Sequence, residues 1–493
     1  MRKFRWLVLL ALCLALAVAV GVAQAQSLPP EDGNEISSVD VAGNLPWQYG
    51  VLDSATGEYT GRYVSMAISP HNGVVYVSYY DATDGNLRMA HSVDIGTGNC
   101  GPSNAWKCET IDSGGTWIIS DDVGQYSSID VVWIARTFPS RSYNKVGISY
   151  YNATDHTLKY AEYYCPSSMV VACYWTTMTV DSSGDSGDRV GESSSVKLNA
   201  NGVAQIAYHY YDDADGIYDF PIHAVYYAYD KSDGTGNCGD DNDWACDSID
   251  WSISTTGTHI SLDLTYEGIP YIAFYQVGDL YYAWYQGFGG ACGDTAWHCV
   301  LIDDGDGSDV GRYVSLHAPD SSTDKFRFAY YDYTNGTIRY AVAVGSGGNC
   351  TSTAYTCYYV DTVGAEFALL GLSLSVDSEG APIIAYQHDN QEQYSVVSLK
   401  VARPASRMGQ SFGIGNCGEV PPGYLFMYWW CETVDDGYQD IVWDADFAAV
   451  AVNPDGLAYV AYYESDSYNM EGRLKIAWQS FHMLYLPYMN KMP

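Results

Sequence analysis

Trp106-Lys107-Cys108-Glu109-Thr110-Ile111-Asp112 is the stretch on which the reading of this chain turns. An aromatic residue with a cysteine two places on and an aspartate six places on recurs along the sequence. The aromatic and the aspartate return as Trp47 and Asp53, Trp175 and Asp181, Trp244 and Asp250, Trp297 and Asp303, Tyr355 and Asp361, and Trp429 and Asp435. Seven copies with one internal spacing define a repeat, and a repeat dictates architecture before any other signal.

Three further strings recur between these marks in a fixed order. The first is Gly-x-x-x-Ser followed by apolar alternation, with its serine at Ser65, Ser128, Ser195, Ser261, Ser315 and Ser373 and an alanine, Ala449, in the last copy. The second is a V/I-A/S-Y-Y run, as in VYVSYYD (Val75 to Asp81) and FRFAYYD (Phe326 to Asp332). The third is L-K/R-Y-A, as in LKYA from Leu158 and IRYA from Ile338. All are β-branched or aromatic, alternate with period two and end in Gly or Asp, which makes them strands. Four short antiparallel strands repeated seven times predict an all-β, seven-bladed β-propeller. A two-layer sandwich also has many strands, but it does not repeat four strings in one order.

Closure is also legible. The copy beginning near Phe447 has three strings and lacks the fourth, while Trp47 to Asp53 is a fourth string without the other three. The N-terminal strand is therefore expected to complete the last blade and remove a free sheet edge. It carries Tyr49 where other copies carry cysteine, so this blade is expected to have no disulfide.

The remaining 12 cysteines beyond Cys13 fall in close pairs. They are Cys100 and Cys108, Cys165 and Cys173, Cys238 and Cys246, Cys292 and Cys299, Cys350 and Cys357, and Cys417 and Cys431. Zinc sites favour C-x-x-C pairs, which are absent, so six local disulfides are expected. Arg2, Lys3 and Arg5, an apolar run from Trp6 to Val22, and Ala23-Gln24-Ala25 form the pattern of a cleaved secretory signal peptide over 1–25. The expected organisation is that signal, a linker over 26–43, the propeller over 44–480 and a tail over 481–493. No later apolar run has spanning length, so no transmembrane segment is expected in the mature chain, which should be secreted or held at the cell surface.

The chain has 493 residues, of which 15% are aromatic and 17% charged, a balance that excludes disorder. Lys and Arg total 23 against 59 Asp and Glu, for a net charge of −36. Such a surface argues against nucleic acid or anionic membrane as the main partner.

The strings DSEGAPIIAY (Asp377 to Tyr386), LKYA from Leu158 and WWCETVD (Trp429 to Asp435) resemble tandem repeats of secreted bacterial propellers, loosely grouped with sialidase-like (BNR-repeat) and lectin propellers. The resemblance spans roughly 44–480 and implies the fold. The S-x-D-x-G-x-T-W boxes of sialidase-like repeats are missing; GTGNCGPSNAWKC (Gly96 to Cys108) and GGACGDTAWHC (Gly289 to Cys299) stand there instead. The tail LYLPYMNK (Leu484 to Lys491) resembles short endings of secreted proteins from certain filamentous bacteria.

Turns between second and third strands should gather on one face Tyr80, Asp81, Asp84, Tyr151, Asp155, Tyr211, Asp212, Tyr331, Asp332 and Tyr463. Aromatic rings beside carboxylates suit sugars, since rings stack on apolar sugar faces and acceptors fix hydroxyls. The same residues also have a plainer reading, in which Asp makes turns and Tyr packs between blades. Arg62, Arg189 and Arg312 sit at blade entrances, and a sialidase-like mechanism would need such arginines and a tyrosine nucleophile. Asp304, Asp306 and Asp309 in D-G-D-G-S-D are calcium candidates, although the distal Glu of an EF-hand loop is missing; calcium is the one cofactor considered. Asp130, Lys197, Asp263 and His317 share one repeat position and are expected to satisfy one another along the channel. The leading expectation is a monomeric, non-catalytic binder of extracellular carbohydrate. Its alternatives are a sialidase-like glycoside hydrolase and a surface scaffold contacting protein.

Overall fold

Each of the four recurring strings is a strand in the computed structural model. The described residues run over 45–480, leaving out 55–58, 117–118, 138–139, 168–169, 184–186, 214–219, 253, 294, 364–370, 390–396, 409–413, 421–426, 437–441 and 467–470. The side chains of 389, 408, 442–446 and 466 are likewise not described. The signal-like segment and the Leu484 to Lys491 tail fall outside the described residues.

Blade 1 is Thr60–Ile68, Val75–Asp81, Asn86–Ser92 and Trp106–Asp112, paired antiparallel in that order from the axis outward. Blades 2 to 6 repeat this pattern, with innermost strands Val123–Ile134, Arg189–Leu198, Thr256–Leu264, Val310–His317 and Leu372–Val376. Blade 7 takes Val442–Val452, Ala458–Asp466 and Glu471–Gln479 from the end of the chain. Its outermost strand is Trp47–Asp53, with Trp47 opposite Gln479 and Tyr49 opposite Ala477. The ring therefore closes on the N-terminal strand, as the orphaned fourth string required. Trp47 Nε1 donates to Glu432 at 2.8 Å, and the Arg403 guanidinium lies over the Trp47 ring, tying that strand to blade 6 as well.

The core is divided among the seven blade junctions. Between blades 7 and 1, for example, Leu52, Leu474 and Ile476 pack on Val75, Val77, Tyr79 and Trp106. Trp244, Trp297 and Trp429, which open outermost strands, are fully buried against Tyr160, Tyr227 and Tyr340 of the preceding blade.

The aspartate closing the same string reaches the other way. Tyr79, Tyr150, Tyr208, Tyr330, Tyr386 and Tyr462 donate their hydroxyls to Asp53, Asp112, Asp181, Asp303, Asp361 and Asp435 of the preceding blade, at 2.5–2.7 Å. A cation from the L-K/R-Y-A string joins five of these: Arg88, Lys159, Arg339, Lys400 and Lys475. One seven-residue string thus engages both neighbouring blades. The junction between blades 3 and 4 is the exception, because Phe274 and Tyr281 stand where the tyrosine and cation should be. There Asp250 accepts instead from Gln276 at 3.3 Å and from the backbone of Trp251 and Gly293.

The first string has a similar logic near the axis. Ser65, Ser128, Ser195, Ser261, Ser315 and Ser373 each accept, through Oγ, the backbone N–H of the next blade's innermost strand at 3.0–3.1 Å. Ala449 cannot do this toward blade 1. The string's glycine is needed for approach: Gly61 and Gly124 have φ of 117° and 108°, and a Cβ there would lie 2.8 and 2.7 Å from the backbone of Leu474 and Leu87.

Six disulfides link the expected pairs, Cys100–Cys108 through Cys417–Cys431. Asn99, Asn237, Asn349 and Asn416, each just before a cysteine, bracket the second cysteine of the pair with two side-chain hydrogen bonds to its backbone. Along the channel Lys197 pairs with Asp263 at 3.3 Å and His317 with Asp324 at 2.6 Å, while Asp130 accepts the N–H of Leu198.

Candidate functional site

Two residues before the repeat serine, the innermost strands depart from regular pairing. The register shifts between Arg62 and Ser65, Gln125 and Ser128, Arg312 and Ser315, and Asp446 and Ala449. At these bulges Tyr63, Tyr126, Tyr313 and Phe447 adopt φ of 52°, 53°, 52° and 58°. A bulky side chain in the left-handed region is strained, and a bulge re-aims the side chain it carries. All four rings line a cavity of about 560 Å³ on the axis, within the roughly 300–1,000 Å³ usual for ligand pockets.

All seven blades supply the same repeat position to this cleft, in order Tyr63, Tyr126, Ser193, His259, Tyr313, Gly371 and Phe447. Tyr63 is the middle of an aromatic crescent, its ring centroid 4.3 Å from Tyr126 and 4.7 Å from Phe447. Across the axis His259 and Tyr313 pack at 4.2 Å. At blade 3 the small Ser193 leaves room for the cleft to reach Glu192, Ser194, His209 and His223.

His209 occupies the place of the second tyrosine in the Y-Y pair, and its Nε2 lies 2.9 Å from Nδ1 of His223, one of the two nitrogens donating. Burial, helped by His223 and Arg189, pushes the His209 pKa down to about 3, and burial lowers those of His223 and His259 as well. At neutral pH these rings are uncharged hydrogen-bonding groups. Glu192 is the one lining residue among those described that carries a carboxylate, and Arg189 donates to it at 3.0 Å.

The residues singled out from the sequence lie at the same end of the blades, since Thr60 pairs with Asp81 and Val310 with Asp332. None of them is among the described residues that line the cleft. Asp81 and Asp332 are fully buried; Asp81 accepts from the backbone of Thr83 and from Arg88, Asp332 from Asn335 and Arg339. Tyr80, Tyr151, Tyr331 and Tyr463 are buried, with Tyr80 donating to Asp122 and Tyr151 bonded to His156. Asp84 and Asp155 are exposed at turn tips, and Tyr211 and Asp212 are half-buried.

The three arginines do not converge. Arg62 lies over Tyr59 and Tyr463, Arg189 over Tyr211, and Arg312 over Tyr333 while paired with Asp309. That pairing engages both oxygens of Asp309, and Asp304 accepts from Asp306 N and from Thr351 of the following blade. Among the described residues, three carboxylates that approach one another within 4.8 Å are Asp188, Asp212 and Asp213.

Sequence reasoning passed over the axial residues. The signal was present as a column of four aromatics and a histidine two places before the repeat serine, and as His209 interrupting a tyrosine column. Period-two alternation gives no hint that a bulge turns that column toward the axis.

No family model matches the chain, and no curated protein matches it in sequence. Several solved structures are similar in overall shape. An α-L-arabinanase of Penicillium chrysogenum is 10% identical at a TM-score of 0.36, covering 87% of this chain and 97% of its own. A subtype N11 neuraminidase-like protein (H18N11, flat-faced bat, Peru) is 8% identical at 0.34, covering 88% and 94%. The WD40 domain of SCAP from fission yeast is 6% identical at 0.38, covering 91% and 89%. None of these likenesses carries an argument about this chain, whose fold rests on the sheet order given above.

Proposed function

We propose that the protein is an extracellular, non-catalytic carbohydrate-binding module whose ligand occupies the axial cleft. The observation that carries this is the cleft lining: aromatic faces from four blades interspersed with uncharged hydrogen-bonding groups, Ser127, Ser194, Thr258, His209, His223 and His259. Sugars present both an apolar face to stack on a ring and hydroxyls to bond. Glycoside hydrolysis by the usual route needs two carboxyl groups about the bond to be broken, and the described lining offers Glu192 alone. A sialidase-like reading needs arginines in the cleft; Arg62, Arg189 and Arg312 are not among its lining residues. Six disulfides suit an oxidising compartment, in keeping with export by the 1–25 segment, and no described helix is long and apolar enough to cross a membrane.

The test is a glycan array probed with the wild-type protein, Tyr63→Ala and Phe447→Ala, each checked for an unchanged thermal transition. Binding of a glycan that falls at least about ten-fold in both variants supports the reading. An array without a binder, or a binder indifferent to both substitutions, contradicts it.

A further inference from the structure

Resting on that reading, we infer that the glycan taken by the axial cleft carries a free, protonated amine, as in oligomers of a de-N-acetylated amino sugar. Electrostatics set the sign of the ligand. Of the described lining residues only Glu192 bears a full charge, and none is a lysine or arginine. His209 and His259, which would be the remaining cations, stay neutral because burial disfavours their charged forms. A sugar carboxylate or sulfate entering here finds the cation nearest the described lining, Arg189, already paired with Glu192, and the net charge of −36 opposes its approach.

An ammonium group meets the opposite situation. Tyr63, Tyr126 and Phe447 form a continuous aromatic surface, and a cation over such faces is attracted by the ring quadrupoles, more strongly where water is excluded. The Glu192 carboxylate, still 24% exposed beside its Arg189 partner, adds an acceptor for N–H, and the hydrogen-bonded pair of neutral imidazoles, His209 and His223, leaves one further ring nitrogen to accept. These polar groups sit at the blade 3 end, where Ser193 opens the ring. The crescent faces the sugar ring, and the blade 3 end receives its substituent.

The experiment is calorimetric titration of the full-length protein with a glucosamine oligomer and with its fully N-acetylated counterpart, of equal length, at low and high salt. The expected result is binding of the free-amine oligomer about ten-fold tighter than the acetylated one, with the advantage shrinking at high salt. Glu192→Gln, with an unchanged thermal transition, should cut the ratio of the two affinities several-fold. Phe447→Leu, which keeps apolar bulk and removes the ring face, serves as a second variant and should lower it too. Equal affinity for both oligomers, a preference for the acetylated one, or a ratio indifferent to salt and both substitutions overturns the inference. Should an array glycan without an amine bind at Tyr63 while neither oligomer does, the amine assignment fails and the carbohydrate reading stands. Absence of every glycan overturns both.

Discussion

Tyr330 shows what a single side chain does here: its hydroxyl reaches 2.5 Å to Asp303 of the preceding blade, a contact shared with Arg339 at 2.7 Å. Both partners of the hydroxyl bond are buried, so Tyr330→Phe removes one donor from a buried carboxylate. The expected cost is about 1.5–3 kcal/mol, read from denaturant unfolding with the disulfides intact. A pH test separates two of these latches. Burial raises the Asp112 carboxyl, but hydrogen bonds from Lys159 and Tyr150 outweigh it, leaving its pKa below the ordinary value. Asp181 has Tyr208 and no cation, and burial leaves its pKa raised. Asp112 therefore stabilises the fold above its unfolded-state pKa and loses that contribution as pH falls through its lowered folded value. Asp181 does the reverse, favouring the fold below its unfolded-state pKa and losing that contribution as pH rises through its raised one. At neutral pH Asp112→Asn should cost clearly more than Asp181→Asn, and the gap should narrow on acidification; an unchanging gap would contradict the assignment. The aspartates were visible in the sequence as a periodic column. Their partners were not, because each lies in the following blade and nothing in a one-dimensional pattern links the two columns.

At the scale of elements, the innermost strand combines a glycine for close approach, a bulge residue aimed at the axis and a serine bonded to the next strand. Six serines make that bond and Ala449 does not. Ala449→Ser should supply the seventh, to the N–H of Met66, and raise stability by about 1 kcal/mol in denaturant unfolding; a loss of stability would show that the buried site cannot accept a hydroxyl. The junction between blades 3 and 4 lacks both parts of the latch, so amides of Pro270–Gln276 and Asp279–Tyr285 should exchange with deuterium faster than those of the matching strands in blade 5. Strand order and disulfide pairing were legible because alternation and cysteine spacing are local. The bulge was not, since Tyr63 and Phe447 satisfy the alternation of an ordinary strand and their direction depends on a positive φ that only the three-dimensional pairing imposes. The same holds for the blade 3 end of the cleft, where His209 and His223 stand 14 residues apart on adjacent strands. Of the Tyr and Asp residues that drew attention in the sequence, Asp81 and Asp332 bond within their turns and Tyr80 bonds across to Asp122 of the next blade.

For the whole molecule, closure by Trp47–Asp53 turns seven nearest-neighbour junctions into a ring without a free edge. A chain lacking residues through Asp53 exposes the Glu471–Gln479 strand and removes Leu52 from the core between blades 7 and 1. It should melt at a clearly lower temperature and self-associate, as light scattering would register; an unchanged monomer with an unchanged transition would contradict the closure. Only a closed ring places the same repeat position of all seven blades about one axis, and so the cleft depends on that strand although the strand does not line it. The direct measurement is a crystal structure with the tightest-binding array glycan. The account predicts electron density for the sugar in the axial cleft, a ring face on Tyr63 or Phe447 and polar contacts toward Glu192 and His209. Density at the outer turns around Asp81, Asp155 or Asp332, with the cleft empty, would contradict it.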